Sequence, residues 1–203
     1  MLDILQLVFL YGFLGGSIKF IDQAYDEGAG SIKAARVLAV LSGVTMGYLM
    51  ARDSPFSTAF YVAMLISLVM ARKIDNGAFA AGTVLAVASF AAFIPSSDVT
   101  FALAPIAAFL VAGFVDEVAD GWAHRHQLGG LAGAFLNYRP FSDLALLALI
   151  AAGMFGWAYL LPYFAFTFSY LAVERLSGDS DLPIRLDRLR TLSPAALLRL
   201  SRR

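Results

Sequence analysis

No cysteine occurs among the 203 residues of this chain, and histidine occurs only twice. Disulfides and thiolate metal ligands are therefore excluded, and the spacing of His124-x-His126 reads as an interfacial pair ahead of a zinc site. Charge is scarce too: 15% of residues are charged, against roughly 25% in a soluble domain. The formal net charge is zero, so the overall balance gives no reason to expect a nucleic-acid partner. There is no Walker loop, no Gly-x-Ser-x-Gly and no His-Glu-x-x-His, which removes the commonest nucleotide, esterase and metalloprotease signatures. The first apolar run lacks a basic leader and a small-residue cleavage site. It reads as a retained helix rather than a signal peptide.

What the sequence does have is long apolar runs, with 60% hydrophobic residues and a mean hydropathy of +0.73. Runs near 4–21, 34–51, 55–71, 78–94 and 99–116 are each expected to cross a hydrocarbon core of roughly 30 Å. Residues 144–173 are almost continuously apolar, and read as two further spans broken near Gly156 to Pro162. The piece from Leu128 to Leu136 is too short to span and reads as a connecting or re-entrant segment. The expected fold is all-α: a polytopic transmembrane helical bundle of about seven spans over residues 1–176, followed by a basic amphipathic tail, 177–203. Six spans result if that tail is exported. Gly12 with Gly16, and Gly43 with Gly47, have the small-xxx-small spacing of close helix packing. Pro55 suits a helix start, and Pro105 is expected to kink the fifth span.

Counting crossings places the ends of spans one, three and five on one side of the membrane. That side carries Lys19, Lys33, Arg36, Arg72, Lys73, Arg125 and Arg139, whereas the opposite short loops carry only Arg52. The positive-inside rule makes the first side cytosolic, and the arginine-rich tail suits the same surface. Acids gather there as well: Asp22, Asp26, Glu27, Asp75, Asp116, Glu117 and Asp120, against Asp3, Asp53 and Asp98 opposite. Acids have little influence on topology, so insertion alone does not explain the clustering.

Clustered like charges need relief from a cation, from basic neighbours or from protonation. Asp22 with Asp26, and Asp116 with Asp120 and His124, are spaced by four and share a helical face. The expected site therefore takes Asp22, Asp26, Asp75, Asn76, Asp116 and Asp120 as ligands of Mg²⁺ or another divalent cation. Lys19, Lys73 and Arg139 serve as phosphate partners, and Asp116, Asp120 and His124 as reacting groups. The Asp-x-x-x-Asp pairs resemble, in their chemistry, the aspartate-rich motifs of the intramembrane prenyltransferases, in which acids at a cytosolic face bind Mg²⁺ and an isoprenyl diphosphate. This chain departs from that family in having too few spans and no Asn-Asp-x-x-Asp signature, so the resemblance is one of chemistry and not of membership.

The leading expectation is an enzyme acting on a lipid-linked phosphate or isoprenyl diphosphate, with membrane lipids as its surroundings and a homo-oligomer compatible with the sequence. A cation or proton channel or transporter is the alternative, and salt-bridged helix ends with a structural role are the third. The midplanes of the spans hold almost no ionisable residue, which favours interfacial chemistry over a transport path. The aromatic run from Trp157 to Tyr170 reads mainly as lipid-facing packing, with a greasy slot for an acyl or isoprenoid chain as the other option.

Overall fold

The structure, a computed structural model, describes residues 2–26, 28, 30–96, 100–126, 128, 130–138 and 140–178. Glu27, Asp98, Arg139, the side chain of His124 and the tail from residue 179 lie outside the described residues. All the regular elements described are helical. They are α1 (Ile4–Asp26), α2 (Ile32–Arg52), α3 (Pro55–Met70), α4 (Gly77–Phe93), α5 (Leu103–Arg125), α6 (Gly130–Asn137), α7 (Pro140–Ala151) and α8 (Leu160–Gly178). Short 3₁₀ turns at Ile94–Ser96 and Trp157–Tyr159 complete them. Two helices, α1 and α2, are long and apolar enough to cross a membrane, while α3, α4 and α7 are shorter apolar helices.

Local chemistry explains most of the boundaries. Ser31, Ser54 and Asn76 cap α2, α3 and α4 through side-chain oxygens, and Pro55 occupies the first turn of α3, where its missing N–H costs nothing. The end of α3 is less ordinary. Arg72 adopts φ 56°, its N–H bonds to the Val69 carbonyl, and the Lys73 N–H bonds to that of Leu68. This is the paired bonding of a Schellman end, with arginine where glycine usually sits. Gly153, at φ 72°, closes α7 by the same two bonds, to Ile150 and Leu149.

Three close helix pairs build the bundle. In α1 against α8, a Cβ on Gly15 would stand 2.1 Å from the Phe166 carbonyl oxygen. In α2 against α4, a Cβ on Gly43 would stand 2.5 Å from the Gly82 carbonyl oxygen, and one on Gly47 2.4 Å from that of Ala86. In α3 against α5, Gly113 faces the Ser67 hydroxyl, which also donates to the Leu110 carbonyl. Contacts in all three pairs advance together along both chains, so the partners run parallel. The expected glycine packing is present at Gly43 and Gly47, but on α1 the tightest position is Gly15, between the two expected glycines.

One other expectation needs correction. Pro105 does not kink a helix: α5 begins at Leu103, so the proline falls in the first turn, where no intrahelical N–H bond is lost. The short piece expected at 128–136 is the helix α6, and the long apolar run divides as expected, though at 152–159, a few residues ahead of the expected break, so that Pro162 falls inside α8.

Polar residues point inward to an unusual degree. Ser17, Lys19, Gln23, Ser42, Asp53, Ser57, Thr58, Ser67, Asp116 and Glu117 are buried, while Phe9, Val40, Val44, Val84, Val87, Val111, Leu147 and Phe168 are exposed. An aromatic column fills the middle: Tyr11, Phe56, Phe60, Phe109, Phe155 and Phe166 meet with ring centroids 5.2–6.4 Å apart in stacked and edge arrangements.

Candidate functional site

A cavity of about 540 Å³ lies at one end of the bundle. Its wall includes Lys19, Asp22 and Asp26 from α1, Lys73 after α3, Asp116, Glu117 and Asp120 from α5, Asp143 from α7 and Glu174 from α8. Phe60, Met64, Leu68, Phe109 and Phe166 line it too. Along α8 the lining runs from Tyr163 to Glu174, which at 1.5 Å per residue is a depth of roughly 16 Å. The result is an amphipathic slot, charged at the end of the bundle and aromatic toward its middle.

The ends of α1, α3 and α5 therefore converge, and a side-chain pairing sets how. Lys19, only 7% exposed, places Nζ 3.2 Å from Asp22 Oδ2, 3.2 Å from Glu174 Oε1 and 5.3 Å above the Tyr170 ring. Gln23, one turn on, donates to the Glu174 backbone carbonyl. Lysine is thus the staple between α1 and α8, and its charge is already met by two carboxylates. Lys73 is swung over the site by the left-handed Arg72 and lies 3.8 Å from Glu117 Oε2. It stays about half exposed and keeps reach for an anion.

Asp116 has a specific task. Its Oδ1 accepts the Phe141 N–H at 3.0 Å, and its Oδ2 accepts the Ser142 N–H at 2.8 Å and the Ser142 hydroxyl at 2.6 Å. A buried carboxylate on α5 thereby caps the start of α7, satisfying N–H groups that have no partner within their own helix. Asn76 is also occupied, since its Oδ1 accepts the N–H groups of Ala78 and Phe79 as the cap of α4. Asp75 is exposed and does not line the cavity. Among the expected ligands, Asp22, Asp26 and Asp120 line the cavity without capping a helix. His124 and Arg139 fall outside what is described.

Among the described residues no three of His, Asp or Glu gather closely enough to form a metal shell by themselves. Mg²⁺ in a phosphate site needs only one or two protein carboxylates, the remaining positions going to water and phosphate oxygens, so Asp22 with Asp26, or Asp120, fits that smaller demand. Burial, then the neighbouring Asp22 and Asp75 carboxylates, push the Asp26 carboxyl above its ordinary value despite Lys73 and Lys19. Negative charge is in excess at this rim.

Sequence reasoning missed Asp143, Glu174 and the tyrosines around them. Asp143 Oδ1 accepts the Tyr163 hydroxyl at 2.7 Å. Burial pushes its carboxyl up, with the Asp116 charge adding to the rise and hydrogen bonds from Tyr163 and Tyr138 opposing it. A readable signal existed on α8. Tyr163, Thr167, Tyr170 and Glu174 recur at spacings of four, three and four, a polar stripe on an otherwise apolar helix. The aromatic run is accordingly mixed, with Tyr163 and Phe166 facing inward and Trp157 and Phe168 outward.

No protein-family model, curated protein or solved structure matches this chain.

Proposed function

We propose that this is a multi-pass membrane protein that binds a lipid carrying a phosphate or diphosphate, through a divalent cation, and transfers or hydrolyses at that phosphate. The observation that carries the reading is the single cavity in which acids of four helices and Lys73 form a charged end above an aromatic inner wall. A lipid phosphate has the matching shape: an anionic head at the interface and an apolar chain beneath it.

The multi-pass reading is supported by the inside-out distribution of polarity, since apolar side chains exposed along α1, α2, α3, α4, α5, α7 and α8 would be costly in water and neutral in lipid. Seven crossings follow if these seven helices each pass once, with α6 lying at the cavity end. By the positive-inside rule, the lysines and arginines at the ends of spans one, three and five would then face the cytosol together with the cavity. Asp22, Asp26 and Asp120 would hold the cation, which neutralises phosphate oxygens when bound. Lys73 would contact the phosphate, and Asp143, held by Tyr163, would hold a proton at the cavity wall.

The test is thermal melting of the full chain in detergent with Mg²⁺, with an isoprenyl diphosphate, and with both. A saturable rise that needs both and is lost in Asp22→Asn and Asp120→Asn is expected, because a ligand of the folded state stabilises it by mass action. A rise unchanged by either substitution, or none, removes the metal–phosphate reading. Cation flux in proteoliposomes without any phosphorylated lipid would replace it by transport.

A further inference from the structure

The aromatic inner end of the cavity is a floor as well as a wall. Phe60 joins the lining from α3, and the rings of Phe109, Tyr163 and Phe166 stand edge-on to it with centroids 5.6, 5.4 and 5.6 Å away. Beneath this layer Phe56 and Tyr11 stack on Phe60 at 6.1 and 6.2 Å. Both are fully buried, and neither lines the cavity. Rings packed at these separations fill the middle of the bundle as a protein interior is filled. A ligand chain entering from the charged end therefore stops at Phe60.

The sides are held as well. Gly15 brings α1 against the α8 backbone, the Ser67 hydroxyl of α3 donates to the Leu110 carbonyl of α5 at 3.2 Å, and the Tyr163 hydroxyl ties α8 to Asp143 of α7 at 2.7 Å. The apolar part of the slot runs from Phe60 to Leu68 on α3 and from Phe109 to Asp116 on α5, a depth of roughly 10–12 Å at the helical rise per residue. An extended chain advances about 1.2 Å per bond, as a fully extended peptide does, so the slot takes roughly ten bonds, the run of a two- or three-unit isoprenyl chain. An acyl chain of the bilayer fills one leaflet of roughly 15 Å and overruns it.

We propose that the slot admits a single short chain and that Phe60 sets the limit, so that the ligand is a two- or three-unit isoprenyl phosphate or diphosphate and not a long-chain lipid of the surrounding bilayer. The head group rests on the lipid-phosphate reading; the length limit rests on the floor alone. A longer chain has to fold back against close-packed rings or leave its end among the charges at the mouth, and each is unfavourable.

The experiment is melting of the full chain in detergent with Mg²⁺ and isoprenyl diphosphates of one to four units, the ligand needed for half the rise being expressed per mole of detergent. The two- and three-unit ligands are expected to share the lowest midpoint, with the four-unit ligand at least tenfold higher. Met64→Phe, which places a ring one turn nearer the mouth on the same face of α3, should shorten the preferred chain by one unit. Phe60→Leu should bring the four-unit midpoint down to that of the three-unit ligand. A native four-unit midpoint equal to or below the three-unit one, or a preferred length unchanged in Met64→Phe, would overturn the limit. No rise with any diphosphate would remove the phosphate head instead, and the alcohols of the same chains then read the floor: the same length limit upholds it, and no limit overturns it. If Phe60→Leu does not fold, the native series and Met64→Phe decide the matter.

Discussion

The two ends of the bundle handle buried charge in opposite ways. At the cavity end, acids from several helices stand around an open volume and are met by two lysines: Lys19 of α1 with Asp22 one turn on and Glu174 of α8, and Lys73 after α3 with Glu117 of α5. At the Asp53 end a single acid is enclosed, and only hydroxyls from α1, α3 and the loop before it turn toward it. The first arrangement leaves charge available to a ligand that comes and goes. The second is closed, with hydroxyls turned toward its one acid. Asp116 shows that the distinction runs through the cavity end itself, since this acid is fully used in holding α7.

The comparison can be broken most severely through the seam that joins both ends. Gly15→Leu would drive a side chain into the Phe166 carbonyl, and is expected to abolish a monodisperse, cooperatively melting protein, whereas Gly121→Leu, with nothing within 4 Å of its Cβ, should melt as the native chain does. Size-exclusion chromatography and melting curves distinguish the two. Next in size is the split between capping and cavity acids. Asp116→Ala should cost about 3 kcal/mol, because two N–H groups and a hydroxyl lose a charged acceptor, and Asp120→Ala clearly less. Equal losses in denaturant unfolding would mean that Asp116 has no special structural duty.

Lys19→Met tests the ion-paired staple and is expected to cost about 1 kcal/mol, since both partner carboxylates keep access to solvent. High salt should shrink the difference between the two proteins; a salt-independent loss would point to packing alone. Arg72→Gly should raise stability by up to about 1 kcal/mol, by relieving a left-handed non-glycine residue, while weakening nothing at the Asp53 end.

The smallest effect expected is on pH dependence. The folded-state values of Asp26 and Asp143 lie above their unfolded ones, so the folded protein holds these protons more tightly. Their contribution to stability is complete below the ordinary carboxylate value of 3.8 and is lost as pH rises through the raised folded value. Asp143→Asn should therefore flatten the fall in melting temperature on going upward from that value, and an unchanged slope would show that Asp143 does not titrate differently on folding.

Much of this arrangement was legible in the residues themselves. The helical runs, the break near Gly156, the packing role of Gly43 and Gly47 and the meeting of Lys19, Asp22, Asp26, Lys73, Asp116 and Asp120 around one volume all follow from apolar run length, small-residue spacing and the parity of crossings. Three features escaped that reasoning. Glycine spacing nominated Gly12 and Gly16, but the rotation of α1 against α8 puts Gly15 at the closest approach. The acid pattern treated Asp116 and Asn76 as ligands, although each had a helix start to satisfy. Asp143 and Glu174 escape it because neither has a second acid at helical spacing to make a motif.

The sequence by itself determined the all-α class, the ends of most helices and the side on which the acids collect, because these depend on local capping, turn chemistry and the length of apolar runs. Only the tertiary structure decided which acid does what. A carboxylate becomes a cap, half of an ion pair, a cavity wall or a sealed charge according to what the other helices place within about 3 Å of it, and those partners lie 26 residues away for Asp116 and 46 residues apart in the Tyr11–Ser57 link to Asp53.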